Sequence, residues 1–321
     1  GYLHRRLLLA AVFGAIGGPL AYLGAARGWD VVQFAQPQWH SLLALAAGWA
    51  MAMPLLAWLA RRGGTVRKRR RVVERNLALC FPELSARERT MLVDAALASN
   101  LAGLFDTLRA ATAPDRCLRG QAEVRGLEHL HAALAQGRGV VLLGAHYDCL
   151  DLAFRHLRLA AGVPLGLVGR GFNLEGADRV IQGGRDRHLG HLFRKKKIGD
   201  FCRWVQAGHP AIYLADLNVS ERVVFAPFFG VQAATLDAIG GVLGRAGGVV
   251  LPLWAWRGDD GRLVVEVQPA WPEDFAVAPP QQLASSYMGW VEAQVRRHPA
   301  QYLWTHRRFK TRPQGGAPLY P

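Results

Sequence analysis

Val140-Val-Leu-Leu-Gly-Ala-His-Tyr-Asp-Cys-Leu-Asp151 is the stretch on which the fold turns. Four apolar residues run together, Gly144 interrupts them, and a polar segment containing His146 follows. Leu150, Phe154 and Leu157 then recur at i, i+4 and i+7. A short unbroken apolar run suits a strand covered on both faces, and the later spacing suits an amphipathic helix. The reading is therefore strand 140–143, turn, helix 150–161. His146 falls just past the strand's carboxyl end, where open α/β sheets place their ligand crevices.

Further strands are expected at 165–169, 211–215, 223–226, 248–256 and 262–268. Helices are expected at 174–192, 199–207, 235–246 and 281–297. This alternation predicts an α/β domain with a mixed central sheet flanked by helices. Residues 72–118 read as helical, broken by Phe81-Pro82-Glu83-Leu84-Ser85. Ser85 followed by Glu88 has capping-box spacing, so a new helix starts there. Leu92, Leu97, Leu101, Leu104 and Leu108 supply its apolar positions.

Ahead of this domain, Leu7 to Ala26 and Ser41 to Ala60 are two uncharged runs. Each is about long enough to cross a hydrocarbon core of roughly 30 Å. His4-Arg5-Arg6, Arg61-Arg62 and Arg67-Lys68-Arg69-Arg70-Arg71 flank the pair, and the connector holds only Arg27 and Asp30. That bias predicts N-terminal membrane helices in residues 1–62 with both outer ends in the cytoplasm, or a single span with the other run at the interface. A domain over 63–313 and a loosely held Pro/Gly-rich tail over 314–321 complete the expected organisation. The 67–71 cluster is read as a headgroup anchor, each basic residue near the surface contributing roughly 1 kcal/mol.

Lys plus Arg number 39 against 24 Asp plus Glu, a net charge of +15. That balance favours anionic partners. The basic residues accompany apolar segments, so membrane phospholipids are expected rather than nucleic acid, for which no helix-turn-helix, zinc-finger or RNA-stacking signature exists. The four cysteines are widely spaced and form no C-x-x-C, so neither a disulfide framework nor a zinc site is expected. His188 and His191 lack a third metal ligand. No P-loop, Rossmann fingerprint or G-x-S-x-G occurs, and no cofactor is expected. Arg194-Lys-Lys-Lys197 reads as a solvated helix end, with docking of an acidic carrier as the sharper option.

His146 and Asp151 form an H-x4-D pair. A turn between them could return the carboxylate to one imidazole nitrogen, leaving the other to take a proton from a substrate hydroxyl. Asp148 as an N-cap, Asp151 as a first-turn carboxylate and a buried His146 would explain the same residues structurally.

Five pieces in order resemble the late-stage lipid A acyltransferases, the Kdo-dependent lauroyl/myristoyl family of Gram-negative bacteria. They are Arg75-Asn-Leu-Ala-Leu-Cys-Phe-Pro-Glu83, the H-x4-D pair, Arg170 and Arg185 fifteen positions apart, Val224-Phe-Ala-Pro-Phe-Phe-Gly230 with Gln232-Ala-Ala-Thr235, and Gln301-Tyr-Leu-Trp-Thr-His-Arg-Arg-Phe-Lys-Thr-Arg-Pro313. The resemblance implies a glycerol-phosphate-acyltransferase-like fold at the cytoplasmic face of the bacterial inner membrane. It implies transfer of a fatty acyl chain from acyl-carrier protein to a hydroxyl on a lipid A precursor. Carried over, His146 is the base and Asp151 its orienting partner. Arg170, Arg185, His306, Arg307 and Arg308 would meet anionic groups of the acceptor. Asp216 stands in an Asp-x-Asp element whose second position is here Asn218, and would pair with an arginine or shape the cleft. That change, with Leu236-Asp237 after Thr235, leaves another glycolipid acceptor open.

Overall fold

A computed structural model describes residues 7–29, 38–62, 64–169, 171, 175–194 and 197–320. The chain divides into two compact units, Gly1–Arg69 and Arg70–Pro321. The break falls a little beyond the expected boundary at residue 62.

In the first unit, helices α1 (Leu7–Trp29) and α2 (Gln38–Arg62) pack on each other. Gly14 and Gly18 make the close approach possible, because a Cβ on either would strike Trp49 of α2. Small residues spaced i, i+4 are the usual means by which apolar helices approach closely. Among the described residues, the helix long and apolar enough to cross a membrane by length and composition is a later one, α4, while α1 supplies the shorter apolar stretch Leu8–Leu23. Helix α3 (Gly64–Cys80) follows.

Helix α4 (Ala86–Thr112) follows α3 in the second unit and starts with the expected capping box. The Ser85 N–H donates to the Glu88 carboxylate at 2.9 Å, and the Ser85 hydroxyl accepts from the Glu88 N–H at 3.3 Å. Then come β1 (Ala122–Arg125), α5 (Leu127–Ala135), β2 (Val140–Gly144), α6 (Leu150–Ala161), β3 (Leu165–Gly169), α7 (Glu175–His188), β4 (Gly190–Arg194), α8 (Ile198–Gln206) and β5 (Pro210–Leu214). The hairpin β6 (Val223–Phe228) and β7 (Val231–Leu236) follows, then α9 (Ile239–Ala246), β8 (Val249–Arg257), β9 (Leu263–Val267) and α10 (Pro280–Arg297).

Seven strands form the main sheet in the order β1-β9-β8-β2-β5-β3-β4. Every neighbouring pair is parallel except β8 with β9. Strand β2 lies between β8 and β5, and all five of its residues are buried, as its unbroken apolar run requires. Three strands are absent from the expectation. Strand β1 is only partly buried, β4 overlaps the end of the span expected as helix 174–192, and β7 precedes the span expected as helix 235–246 and overlaps only its start. Gly190 turns the chain out of α7 with φ 139°, a conformation that side-chain-bearing residues rarely adopt.

The C-terminal tail is docked rather than loose. Leu319 and Tyr320 pack against the core, Arg75 Nε donates to the Leu319 carbonyl at 2.7 Å, and the Tyr320 hydroxyl bonds Asn76. Lys195 and Lys196 of the basic run lie outside the described residues.

Candidate active site

The carboxyl ends of β2 and β5 bring the chemistry together. These strands pair in parallel, Gly144 opposite Leu214. Just beyond those ends stand His146 and Asp216. Tyr287 of α10 ties the two ends: its hydroxyl donates to the Gly144 carbonyl at 2.7 Å and accepts from the Ala215 N–H at 3.2 Å.

The carboxylate that reaches the imidazole is Asp216, not Asp151. His146 Nδ1 lies 2.6 Å from Asp216 Oδ1, and the His146 backbone N–H donates to Oδ2 at 3.0 Å. The Tyr302 hydroxyl also donates to Oδ2, at 3.0 Å. Asp216 has no solvent exposure, and burial alone would raise its pKa. The charge and hydrogen bonds of His146, with the Arg308 guanidinium, outweigh burial and hold it at about 2. An ionised carboxylate only accepts, so Nδ1 carries the ring proton and Nε2 is left as the basic nitrogen.

Asp151 is committed elsewhere. Arg185 Nε and Nη2 donate to its two oxygens at 2.7 and 3.0 Å, and the Thr107 hydroxyl donates at 3.0 Å. Segment 146–148 explains the separation. It forms an antiparallel bridge with the C-terminal segment, Leu303 N–H donating to the His146 carbonyl at 3.1 Å and Asp148 N–H to the Gln301 carbonyl at 2.9 Å. The chain therefore runs extended past His146 before α6 begins, and Asp151 turns toward α4 and α7. Those residues line a pocket of about 10 Å³, room for about one water. Arg185 is thus engaged by a carboxylate of its own chain.

Beside His146 opens a cavity of about 410 Å³, within the range of about 300–1,000 Å³ usual for ligand sites. Its wall is apolar: Val168 from β3, Tyr213 and Leu214 from β5, Leu217 and Val219 from the following loop, Leu236 from β7 and Val242 from α9. Asn218 and His306 supply polar atoms at its edge. The Asn218 N–H donates to His306 Nε2 at 2.9 Å. Burial, with help from Arg308 and His146, pushes the His306 pKa down to about 4 against the opposing pull of Asp216, so this ring is neutral near pH 7.

The remaining expected contacts sort differently. Arg308 is 1% exposed and points inward, donating to the Ala234 carbonyl and to Thr235 Oγ1 at 2.8 Å. It supports the site from behind and does not face an acceptor. Arg307 lies 5.7 Å from the centre of the Tyr320 ring. Arg170 lies outside the described residues. Asn218 shows why an amide serves there: Nδ2 donates to Thr311 Oγ1 at 3.0 Å while Oδ1 accepts from the Thr311 N–H at 2.9 Å. Asp237 sits 3.7 Å from Arg222 at the base of the hairpin.

Sequence reasoning missed Tyr287, Tyr302 and Asn76. Asn76 is fully buried and donates to the carbonyls of Trp304 and His306 at 2.7 and 2.8 Å, clamping the segment that carries His306. Asn76 and Tyr302 lie inside two of the quoted sequence pieces, but nothing in their spacing marks them as supports of one site.

A family model described as bacterial lipid A biosynthesis acyltransferase matches residues 37–311. The chain belongs to this family. A second model, of a protein family of unknown function, matches residues 1–55. Among relatives from Escherichia coli K12, the chain is 31% identical to the lipid A biosynthesis lauroyltransferase over 305 residues, 92% of this chain and 93% of the relative. It is 30% identical to the palmitoleoyltransferase, covering 90% and 97%, and 29% identical to the myristoyltransferase, covering 86% and 88%. The chain is an acyltransferase.

Proposed function

We propose that the chain transfers a fatty acyl group from an acyl-carrier-protein thioester to a hydroxyl of a lipid A precursor, with His146 as general base and Asp216 as its orienting partner. The observation that carries this reading is the 2.6 Å contact of His146 with Asp216 beside the apolar cavity. His146 Nε2 takes the proton of the acceptor hydroxyl as its oxygen attacks the thioester carbonyl. The tetrahedral intermediate then collapses, the carbon–sulfur bond breaks, and the imidazolium returns its proton to the departing thiolate. Asp216 stays ionised throughout and stabilises the transient imidazolium. The apolar wall receives the acyl chain, each buried methylene contributing about 0.8 kcal/mol.

Asp151 acts one step away, holding Arg185 between α6 and α7. In this reading α1 and α2 anchor the enzyme in the inner membrane, with the second unit at the cytoplasmic face among anionic phospholipids, and the flanking arginines set that orientation.

The test combines two assays. His146→Ala is expected to remain folded and membrane-bound while losing transfer from an acyl-carrier thioester to a lipid A precursor. Substantial turnover by that variant would remove His146 as the base. Mass spectrometry of lipid A from a strain lacking the gene should show one secondary acyl chain missing; an unchanged spectrum would point to a different lipid acceptor.

A further inference from the structure

Helix α4 carries polar side chains among small and apolar ones on its inner face and is apolar on its outer one. Inward, the Asn100 amide donates to Asp148 at 3.1 Å, the Thr107 hydroxyl donates to Asp151 at 3.0 Å, and Arg257 donates to Asp106. Outward, the exposed positions between Asp94 and Arg109 are Ala95, Ala98, Leu101, Ala102, Leu104, Phe105 and Leu108, without a polar residue among them. The four large side chains are 51–59% exposed. A helix bathed in water shows the opposite arrangement, and contiguous apolar surface of this kind marks an interaction face.

We infer that α4 lies in the plane of the bilayer surface, its Leu101–Leu104–Phe105–Leu108 face buried among the acyl chains of anionic phospholipid. Three observations choose this occupant. The inner face bonds three side chains of the protein, so α4 cannot be surrounded by lipid as a spanning helix would be. The apolar stretch is closed at its carboxyl end by exposed Arg109, Arg116 and Arg119, placed to meet headgroup phosphates. The chain carries a net charge of +15, complementary to an anionic surface and repulsive toward a second copy.

The consequence reaches the site. Gly103, on the inner face, lies so close to the Asp148 backbone carbonyl that a Cβ there would collide with it. Asp148 is two residues from His146. A surface-bound α4 would therefore hold the His146 loop about one helix diameter, roughly 10 Å, from the lipid boundary. An acceptor could then present its hydroxyl while keeping its own chains in the membrane.

The placement of α4 does not depend on which lipid accepts the acyl group, and it is read without a transfer assay. Nitroxide labels would be attached at Leu101→Cys, Leu104→Cys and Leu108→Cys in the full chain, with Cys117→Ser removing the partly exposed native thiol. The protein would be reconstituted in phosphatidylcholine vesicles containing phosphatidylglycerol. Labels on the α4 face should collide more with oxygen than with a water-soluble nickel chelate, and a label at exposed Glu128→Cys should show the reverse. Nickel access at 104 and 108 equal to that at 128 would place the face in water. Exclusion of both reagents would mean that protein covers it, whether the N-terminal helices or another copy. Either result overturns the inference. As a functional arm, Phe105→Glu should lower transfer to vesicle-borne acceptor roughly tenfold and leave transfer to detergent-dispersed acceptor within about twofold. Equal losses in both settings would overturn it as well.

Discussion

Asp216 grips His146 at two points, through the backbone N–H at 3.0 Å and through Nδ1 at 2.6 Å, although the residues are 70 positions apart. The double contact fixes where the loop lies and which nitrogen carries the proton. Tyr302 braces the same carboxylate from the C-terminal segment. Orientation of the His146 imidazole is therefore a property of three distant chain segments.

Asp216→Asn tests that arrangement directly. The amide can turn an N–H toward Nδ1 and so favour the wrong tautomer. Single-turnover transfer should fall by roughly 10³–10⁴-fold with the fold retained, by analogy with the amide change in a serine-protease triad. Circular dichroism would confirm the fold, and a loss below tenfold would mean that Asp216 does not set the tautomer.

Asp151→Asn should behave differently. It weakens the paired contact with Arg185 but leaves the imidazole's partner in place. The expected signature is a stability loss of about 1–3 kcal/mol with a rate loss well below that of Asp216→Asn. Thermal melts and transfer rates on the same preparations would separate the two residues.

Gly103→Ala connects helix packing to the site. The added methyl meets the Asp148 backbone carbonyl, which cannot rotate away as a side chain would. The His146 loop must shift, and a shift of about 1 Å can cost on the order of 100-fold in rate. Gly176→Ala, where a Cβ meets nothing within 4 Å, is the matched control and should transfer normally.

Asp148 provides a pH prediction. Burial, reinforced by Asp106, raises its pKa to about 7 against the hydrogen bonds of Ser99 and Asn100. The folded protein thus holds this proton more tightly than the unfolded chain, whose aspartate titrates at roughly 4. Stability should fall as pH rises from about 4 through about 7, and the penalty is complete above that window. Asp148→Asn should melt roughly 4 °C higher than the parent at pH 8, with the difference shrinking toward pH 4. An advantage that is the same at both pH values would show that ionisation is not its source.

Val242→Phe tests the cavity. Val242 lines the apolar wall and is 6% exposed, so a larger ring there has little room except into the cavity. Preference should move toward shorter acyl chains, read by competition between acyl-carrier thioesters of different length. An unchanged preference would place the acyl chain elsewhere.

Much of the architecture is legible in the amino-acid sequence. The all-apolar run of β2, the α6 periodicity, and the Ser85/Glu88 capping box are interactions between residues close in sequence, so their spacing carries the information. Strands β4 and β7 were not legible, because each is short, β4 follows closely on helix α7, and β7 runs into a stretch that also fits a helix. His146 was legible as a position, the end of a buried strand. Its partner was not. H-x4-D spacing suggested Asp151, yet the bridge of 146–148 to 301–303 carries the chain straight past the turn that would have joined them.

The amino-acid sequence by itself determined the family, the central strand, and the placement of a histidine at its carboxyl end. It also determined the apolar character of α4 and the strong positive charge, since these follow from local composition and period. Only the tertiary structure decided which carboxylate meets the imidazole and that Asp151 serves Arg185. Only it showed that Arg308 faces inward and that the apolar residues of α4 face outward. The reason is geometric: sequence periodicity reports that a helix or strand has an apolar side. Which residue lies across a gap from which other is set by parallel strands and distant segments meeting in space.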